Sequence, residues 1–149
     1  MSDDHAGRLL SRRRRAARKL LTQALYQLQV GGQPWQDIHH QHVADPESAG
    51  ADLDFFREVL MQVATNREAL DAALAPHSDI PPERLDPIEH GILWLALYEL
   101  QHRPDVPFRV VISEAVDLAK RFGATDGFKY VNGVLDRAAR VLRPHERDF

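Results

Sequence analysis

The sequence predicts an all-α protein. Apolar residues recur at three- and four-residue steps over several segments, and glycine or proline separates these segments. No pair of alternating strands joined by a hairpin turn is present. The 149 residues, 44% hydrophobic and 28% charged, are typical of one globular domain, or of two small subdomains sharing a core.

The first predicted helix runs from about Arg12 to Val30 and ends before a pair of glycines. Its apolar stripe comprises Ala17, Leu21, Ala24 and Leu28. Four other side chains lie on the opposite side, within roughly 60° of one another. They are Arg12, Arg15, Lys19 and Tyr26. Basic residues and one aromatic therefore share a face that the core does not need.

The middle of the chain predicts two further helices. A short helix over 34–42 is followed by a loop over 45–50. A long amphipathic helix then covers 53–74, interrupted by Arg67. Several prolines break the 76–87 segment into turns, so this segment is the best candidate for a junction between subdomains.

The last part of the chain predicts three helices. Residues 88–101 are apolar almost all round, which is typical of a helix at the centre of a bundle. A helix over 108–122 ends at Gly123; its opening also alternates like a strand, but the longer helical pattern favours a helix. A final helix follows, with Thr125 or Asp126 as its N-cap.

The formal net charge of -3 hides an asymmetry along the chain. Residues 8–19 hold seven basic and no acidic residues, 20–119 hold five basic and sixteen acidic, and 120–143 hold six basic and two acidic. Salt screens charges over about 8 Å, so an acidic middle does not cancel basic ends. The basic ends favour a polyanionic partner, with a solvated or disordered tail as the alternative.

Several classes of function are disfavoured. The chain has no cysteine, which excludes a disulfide framework and a thiol nucleophile and fits a reducing compartment. The longest apolar run, Ile92–Tyr98, is too short for a membrane span, and no signal-peptide core is present, so a cytoplasmic location is expected. His39, His40 and His42 raise the possibility of a metal site, but His39 and His40 point to different helix faces and no HExxH motif or carboxylate triad accompanies them, so no metal is expected. No phosphate loop or nucleophile–base pair is evident, so neither an enzyme nor a cofactor is expected.

A basic helix with an aromatic on the same face suits single-stranded RNA. Arginine binds phosphate in a planar, bidentate manner, and Tyr26 could stack on a base. The start of the last helix adds backbone N–H groups for phosphate, and Lys129 and Tyr130 point away from the core position Phe128. Asp126 could contact a base edge or merely cap the helix. This interpretation requires that the two regions adjoin.

Five segments together resemble the NusB family of bacterial transcription antitermination factors. They are RRRRAARKLLTQALYQLQ (12–29), FFREVLMQVATN (55–66), ILWLALYEL (92–100), DVPFRVVISEAVDLAKRFG (105–123) and KYVNGVLDRAAR (129–140). The resemblance implies a NusB-like bundle of six to seven helices in two helical subdomains, 12–76 and 77–149. These would form one compact domain after a disordered extension, 1–11.

The resemblance also implies a function and a set of site residues. Family members bind the boxA element of nascent RNA with NusE, also a small-subunit ribosomal protein, and help RNA polymerase read through terminators in ribosomal RNA operons. The matching RNA-binding positions are Arg13, Arg14, Arg15, Arg18, Tyr26, Phe122, Asp126, Lys129 and Tyr130. Glu89 corresponds to a position associated with NusE binding.

The sequence departs from the family pattern at three positions. Ser113 stands where Asn is common, Lys19 replaces a frequent Glu, and Trp94 replaces a basic residue and could alter a partner surface. Two alternatives remain: a protein-interaction bundle whose arginines only solubilise it, and an RNA-targeting domain like that of some RNA methyltransferases. The lack of a second domain and of a cofactor pattern disfavours the latter. A homodimer paired through exposed Tyr and Phe in the absence of RNA also stays open.

Overall fold

The computed structural model describes residues 2–147, and the side chains of residues 4–146. This part of the chain contains eight α-helices, three short 3-10 turns and no strand, which confirms the all-α prediction. The helices are α1 Ser2–Val30, α2 Trp35–Ala44, α3 Leu53–Thr65, α4 Arg67–Leu74, α5 Pro87–His102, α6 Phe108–Phe122, α7 Gly127–Leu142 and α8 Pro144–Arg147. None of these described helices has the length and hydropathy that a bilayer span requires.

Helix α1 begins ten residues before the predicted start, so residues 2–11 are helical here rather than a disordered extension. No proline interrupts this stretch. The side chains of residues 4–13 are all exposed, so these turns have no buried face and show no apolar periodicity that could have predicted them. At its other end α1 stops where Gly32 adopts a left-handed φ of 65°.

The chain divides into two compact units, Met1–Ala64 and Thr65–Phe149. The buried apolar side chains of the first unit include Leu21, Leu25, Leu28, Ile38, Phe56 and Leu60. Two hydrogen bonds tie α1 to its neighbours in this unit. His42 Nε2 donates to Gln27 Oε1 over 2.6 Å, and the backbone N–H of Asp52 donates to the carbonyl of Arg13 over 2.9 Å. The second bond fixes the start of α3 beside the arginine-rich part of α1.

The predicted helix over 53–74 is in fact two helices, because the chain leaves the helical conformation at Asn66 (φ −129°, ψ 27°). Asparagine forms helices poorly since its side chain competes with the backbone for hydrogen bonds. The amphipathic pattern continues through this break and therefore concealed it.

Helix α4 belongs to the second unit, so the unit boundary lies one short helix before the predicted division at 76/77. Helix α4 packs against α5, and two hydrogen bonds to Asp71 Oδ1 link these helices, from His90 Nε2 over 2.6 Å and from Trp94 Nε1 over 2.8 Å. Trp94 is only 2% exposed. Its departure from the family pattern therefore adds a bond between α4 and α5 and does not change a partner surface.

Helix α5 is the centre of the second unit, as its uniformly apolar sequence predicts. All residues from 89 to 100 are buried, and α5 packs against α4, α6 and α7. The 108–122 segment is helical, which confirms the choice of helix over strand.

A buried guanidinium holds the connection between α5 and α6. Arg143, just after α7, donates to the backbone carbonyls of Glu99 (3.1 Å), Leu100 (2.9 Å), Arg103 (2.8 Å) and Val106 (3.0 Å). It also pairs with Glu146 of α8, whose carboxylate accepts the backbone N–H of Phe108 at the start of α6. The hydrogen bond from Arg143 lowers the pKa of Glu146 below its usual value.

Candidate nucleic-acid interface

The predicted RNA-binding arginines of α1 fall into two groups, of which the first is packed inside the unit. Arg14 Nε lies 3.7 Å from Asp52 Oδ2, and its guanidinium carbon is 5.2 Å from the centre of the Phe55 ring. Arg18 is 4% exposed, with its guanidinium carbon 5.6 Å from the same ring. These two cations stabilise the contact of α1 with α3. Neither projects into solvent as a phosphate ligand would.

The second group is exposed. Arg13 and Arg15 are solvent-accessible, and Tyr26 is 41% exposed three turns further along α1. Arg12 and Lys19 are exposed as well. Residues Arg12, Arg15, Lys19 and Tyr26 thus form one open surface, here called the exposed α1 face. Its cations can reach phosphates and its ring can stack on a base.

The predicted residues of the second unit lie around the turn between α6 and α7, here called the α6–α7 corner (122–130). Asp126 and Lys129 are exposed, with Lys129 Nζ 3.5 Å from Asp126 Oδ1. Phe122 is half-buried, and the Arg121 guanidinium carbon lies 5.2 Å from its ring centre. Tyr130 is half-buried too. Cations and aromatic rings therefore meet at this corner.

The Tyr130 side chain is held at its polar end. Its hydroxyl forms a hydrogen bond with the hydroxyl of Ser78, which precedes α5. This hydrogen bond holds the hydroxyl end of Tyr130 against the segment between α4 and α5.

One aromatic residue of this corner was not among the predicted RNA-binding residues. Phe128 was predicted as a core position but is half-buried, with Lys120 Nζ 4.9 Å and Lys129 Nζ 6.0 Å from its ring centre. Its step from Val131 belongs to the apolar stripe of α7, so periodicity alone assigns it to the core. Lys120 comes from α6, and only the turn between the helices brings it to this ring.

The N-terminus of α7 faces a carboxylate of the chain itself. Asp126 occupies the N-cap position with a left-handed φ of 65°, but its side chain makes no capping hydrogen bond. Glu89 is only 7% exposed and points at this turn. A Cβ placed at Gly127 would overlap Glu89 Oε1, and one at Gly123 would lie 3.2 Å from it. The start of α7 was predicted to bind phosphate through its backbone N–H groups. The Glu89 carboxylate lies beside these groups instead, and it would repel a phosphate.

The environment of Glu89 affects its titration and its role. Burial, and next the nearby Asp86 carboxylate, raise the pKa of Glu89, whereas a hydrogen bond from the Ala124 backbone acts in the opposite direction. Because this side chain is almost fully enclosed, it does not present its carboxylate on the surface of the protein.

Two of the three clustered histidines take part in packing. The His39 ring stacks on Phe56 with centroids 6.0 Å apart, and His42 bonds to Gln27. Burial lowers the pKa of both His39 and His42, which favours their neutral form. Within residues 2–147 no group of three His, Cys, Asp or Glu side chains is placed to hold a metal ion.

The fold and this surface define a small helical protein with exposed cations and one exposed aromatic ring on its first helix. The chain matches the model of the NusB family over residues 15–140, and it belongs to that family. It is 48% identical over 136 residues to the transcription antitermination protein NusB of Pseudomonas savastanoi pv. phaseolicola, covering 91% of this chain and 82% of the relative. It is also 48% identical to the NusB protein of Shewanella amazonensis over 124 residues, covering 83% of this chain and 92% of that protein.

A solved structure supports the same family. T. maritima NusB superposes with a TM-score of 0.78 at 26% sequence identity, covering 91% of this chain and 97% of the other. Membership of the NusB family, which the five sequence segments predicted, is therefore confirmed.

Proposed function

We propose that this protein is a transcription antitermination factor. In this proposal it binds boxA-type single-stranded RNA together with NusE and, within the RNA polymerase antitermination complex, promotes read-through of ribosomal RNA operons. It acts without catalysis or a cofactor, in the cytoplasm, where bacterial transcripts are made. Family membership and the names of the relatives support the antitermination role.

The exposed α1 face carries the RNA-binding part of the proposal. Cations at Arg12 and Arg15 neutralise phosphates, and the Tyr26 ring supplies a stacking platform at the end of the same face. Arg13 adds an exposed cation beside them. The deep, narrow major groove of an RNA duplex would not admit these side chains, whereas a single strand presents both phosphates and bases.

The remaining predicted residues take different roles. Phe122, Asp126, Lys129 and Tyr130 are proposed as RNA contacts of the second unit, by stacking and by hydrogen bonds to base edges. Arg14 and Arg18 keep α1 in place through Phe55 and would reach a phosphate only by leaving that ring.

Glu89 is proposed as a position on which NusE binding depends. Its enclosed side chain would influence the partner through the shape of the α6–α7 corner, because its carboxylate is not on the surface. Replacement by lysine would force a cation into that enclosure and disturb the corner.

A binding titration tests the proposed function. A boxA-type RNA oligonucleotide is titrated with the protein, with and without NusE, over a range of salt concentrations. If about five phosphates are contacted, log affinity should fall against log salt with a slope of about −3.5. Absence of RNA binding even with NusE present would refute the RNA role and favour a protein-interaction module.

Tyr26→Ala is expected to weaken RNA binding by roughly 1–2 kcal/mol, because a base loses its stacking surface. Tyr26→Phe is the matched control, since it keeps the ring and should bind almost as tightly. Affinity is measured by fluorescence anisotropy of labelled RNA, and helicity by circular dichroism. Equal affinity of the alanine variant and the unchanged protein would assign Tyr26 a purely structural role.

A further inference from the structure

The exposed cations of α1 extend further than the positions that the family resemblance assigns. Four basic residues repeat at steps of four, three and four along one face of the helix, and all four side chains are exposed. They are Arg8, Arg12, Arg15 and Lys19, here called the α1 basic strip. Tyr26 lies on the same line, seven residues beyond Lys19. At 1.5 Å per residue, the distance from Arg8 to Tyr26 is about 27 Å.

Between Arg8 and Tyr26 the helix carries no acidic residue. The nearest acidic residues along the chain are Asp4 on one side and Asp37 on the other. Asp4 lies on the same face one turn before Arg8 and marks the end of the strip. A carboxylate at this position also stabilises the N-terminus of the helix. From Arg8 to Tyr26 the charged side chains that α1 itself contributes to this face are therefore all positive.

Arg8, Arg12 and Lys19 lie outside the RNA-binding set that the family resemblance implies, and of these Arg8 and Lys19 have no part in the proposed function either. Arg8 precedes the segment that matches the family model, which starts at residue 15. It lies on the first turns of α1, where every described side chain is exposed and available to a ligand. Lys19 sits between Arg15 and Tyr26, at a position where the family resemblance expects a glutamate. Each therefore adds positive charge to the face.

We propose that Arg8 and Lys19 are additional phosphate-binding residues that lengthen the single-stranded RNA contact along α1. This inference rests on the proposed function. The strip spaces its cations about one helical turn apart, and the strand runs parallel to the helix axis with its phosphates on the cations and one base on Tyr26. Lys19 fills the gap between the arginines and the ring, and Arg8 extends the contact beyond the segment matched by the family model.

Salt-dependent binding of the full chain to a boxA-type RNA oligonucleotide tests this inference. Arg8→Gln with Lys19→Gln removes two phosphate contacts, so the magnitude of the salt slope should fall by about 1.4, and affinity at 0.1 M salt should fall roughly 20-fold. Glutamine preserves helix propensity, and circular dichroism checks that α1 stays helical.

A charge-matched double variant provides the control. Arg67→Gln with Arg84→Gln removes the same net charge from two exposed positions of the second unit that belong to neither candidate surface. It should leave the slope nearly unchanged. Either of two results would overturn this inference but not the proposed function. One is an equal effect of both double variants, and the other is an unchanged slope in the Arg8/Lys19 variant while Tyr26→Ala still weakens binding. Failure of the unaltered protein to bind RNA would instead refute the proposed function.

Discussion

Arg143→Ala is expected to lower the free energy of unfolding by about 3–5 kcal/mol. The buried guanidinium donates to four backbone carbonyls around the end of α5 and pairs with Glu146. Removing it takes one donor from each of the four carbonyls, of which those of Glu99 and Arg103 keep a backbone N–H partner. It also removes a positive charge near the C-terminus of a helix, where such a charge is favourable. Urea denaturation followed by circular dichroism measures the change.

Arg140→Ala is the control for this prediction. Arg140 is exposed and makes only an i,i+4 pair with Asp136 at 3.3 Å, so its removal should cost about 0.5 kcal/mol or less. Arg143→Lys should recover only part of the lost stability, because one ammonium cannot span four carbonyls. If the Arg143 and Arg140 alanine variants were equally stable, the four hydrogen bonds would not be limiting for the fold.

Gly127→Ala is expected to destabilise the second unit by about 1–3 kcal/mol, because the end of the buried Glu89 side chain must move away from the new methyl group. The new methyl group would overlap Glu89 Oε1, and Glu89 Cδ lies only 2.6 Å from the same point. The start of α7 also follows the left-handed residue Asp126, which restricts how far this turn can shift. The thermal midpoint and the urea midpoint should therefore both decrease.

Two substitutions at Glu89 separate a steric cause from an electrostatic one. Glu89→Ala removes the overlapping atoms, so adding Gly127→Ala to it should cost little more. Glu89→Gln removes the charge but keeps the volume, and should not rescue Gly127→Ala. Rescue by glutamine equal to that by alanine would mean that charge rather than volume keeps residue 127 a glycine.

The helices could largely be predicted from the sequence because their apolar faces repeat with the helical period. Helix α6 and helix α7 follow this rule closely, and both lie where the periodicity put them. The rule fails where no face is buried, as in the first turns of α1, and where the pattern crosses a break, as at Asn66. Periodicity reports burial, so a helix segment without burial leaves no pattern to detect.

The candidate site was less accessible to sequence reasoning. A helical wheel correctly separates Tyr26 and Lys19 from the core, because both lie on one regular helix. It cannot find the Phe55 ring that engages Arg14, since that ring comes from α3. The placement of Glu89 against Gly127 likewise depends on the packing of α5 against the α6–α7 corner. Tertiary neighbours decide which cations remain available.

The chain contains only two tryptophans, and each compact unit holds one of them. Trp35 is half-exposed beneath the Arg57 guanidinium, 5.4 Å from its ring centre, while Trp94 is enclosed beside the His90 ring at 4.2 Å. Native fluorescence should therefore contain a red-shifted component from the first unit and a blue-shifted one from the second. With Trp35→Phe or Trp94→Phe, the remaining indole would report the melting of its own unit, and comparison of the two curves would reveal whether the halves unfold in concert.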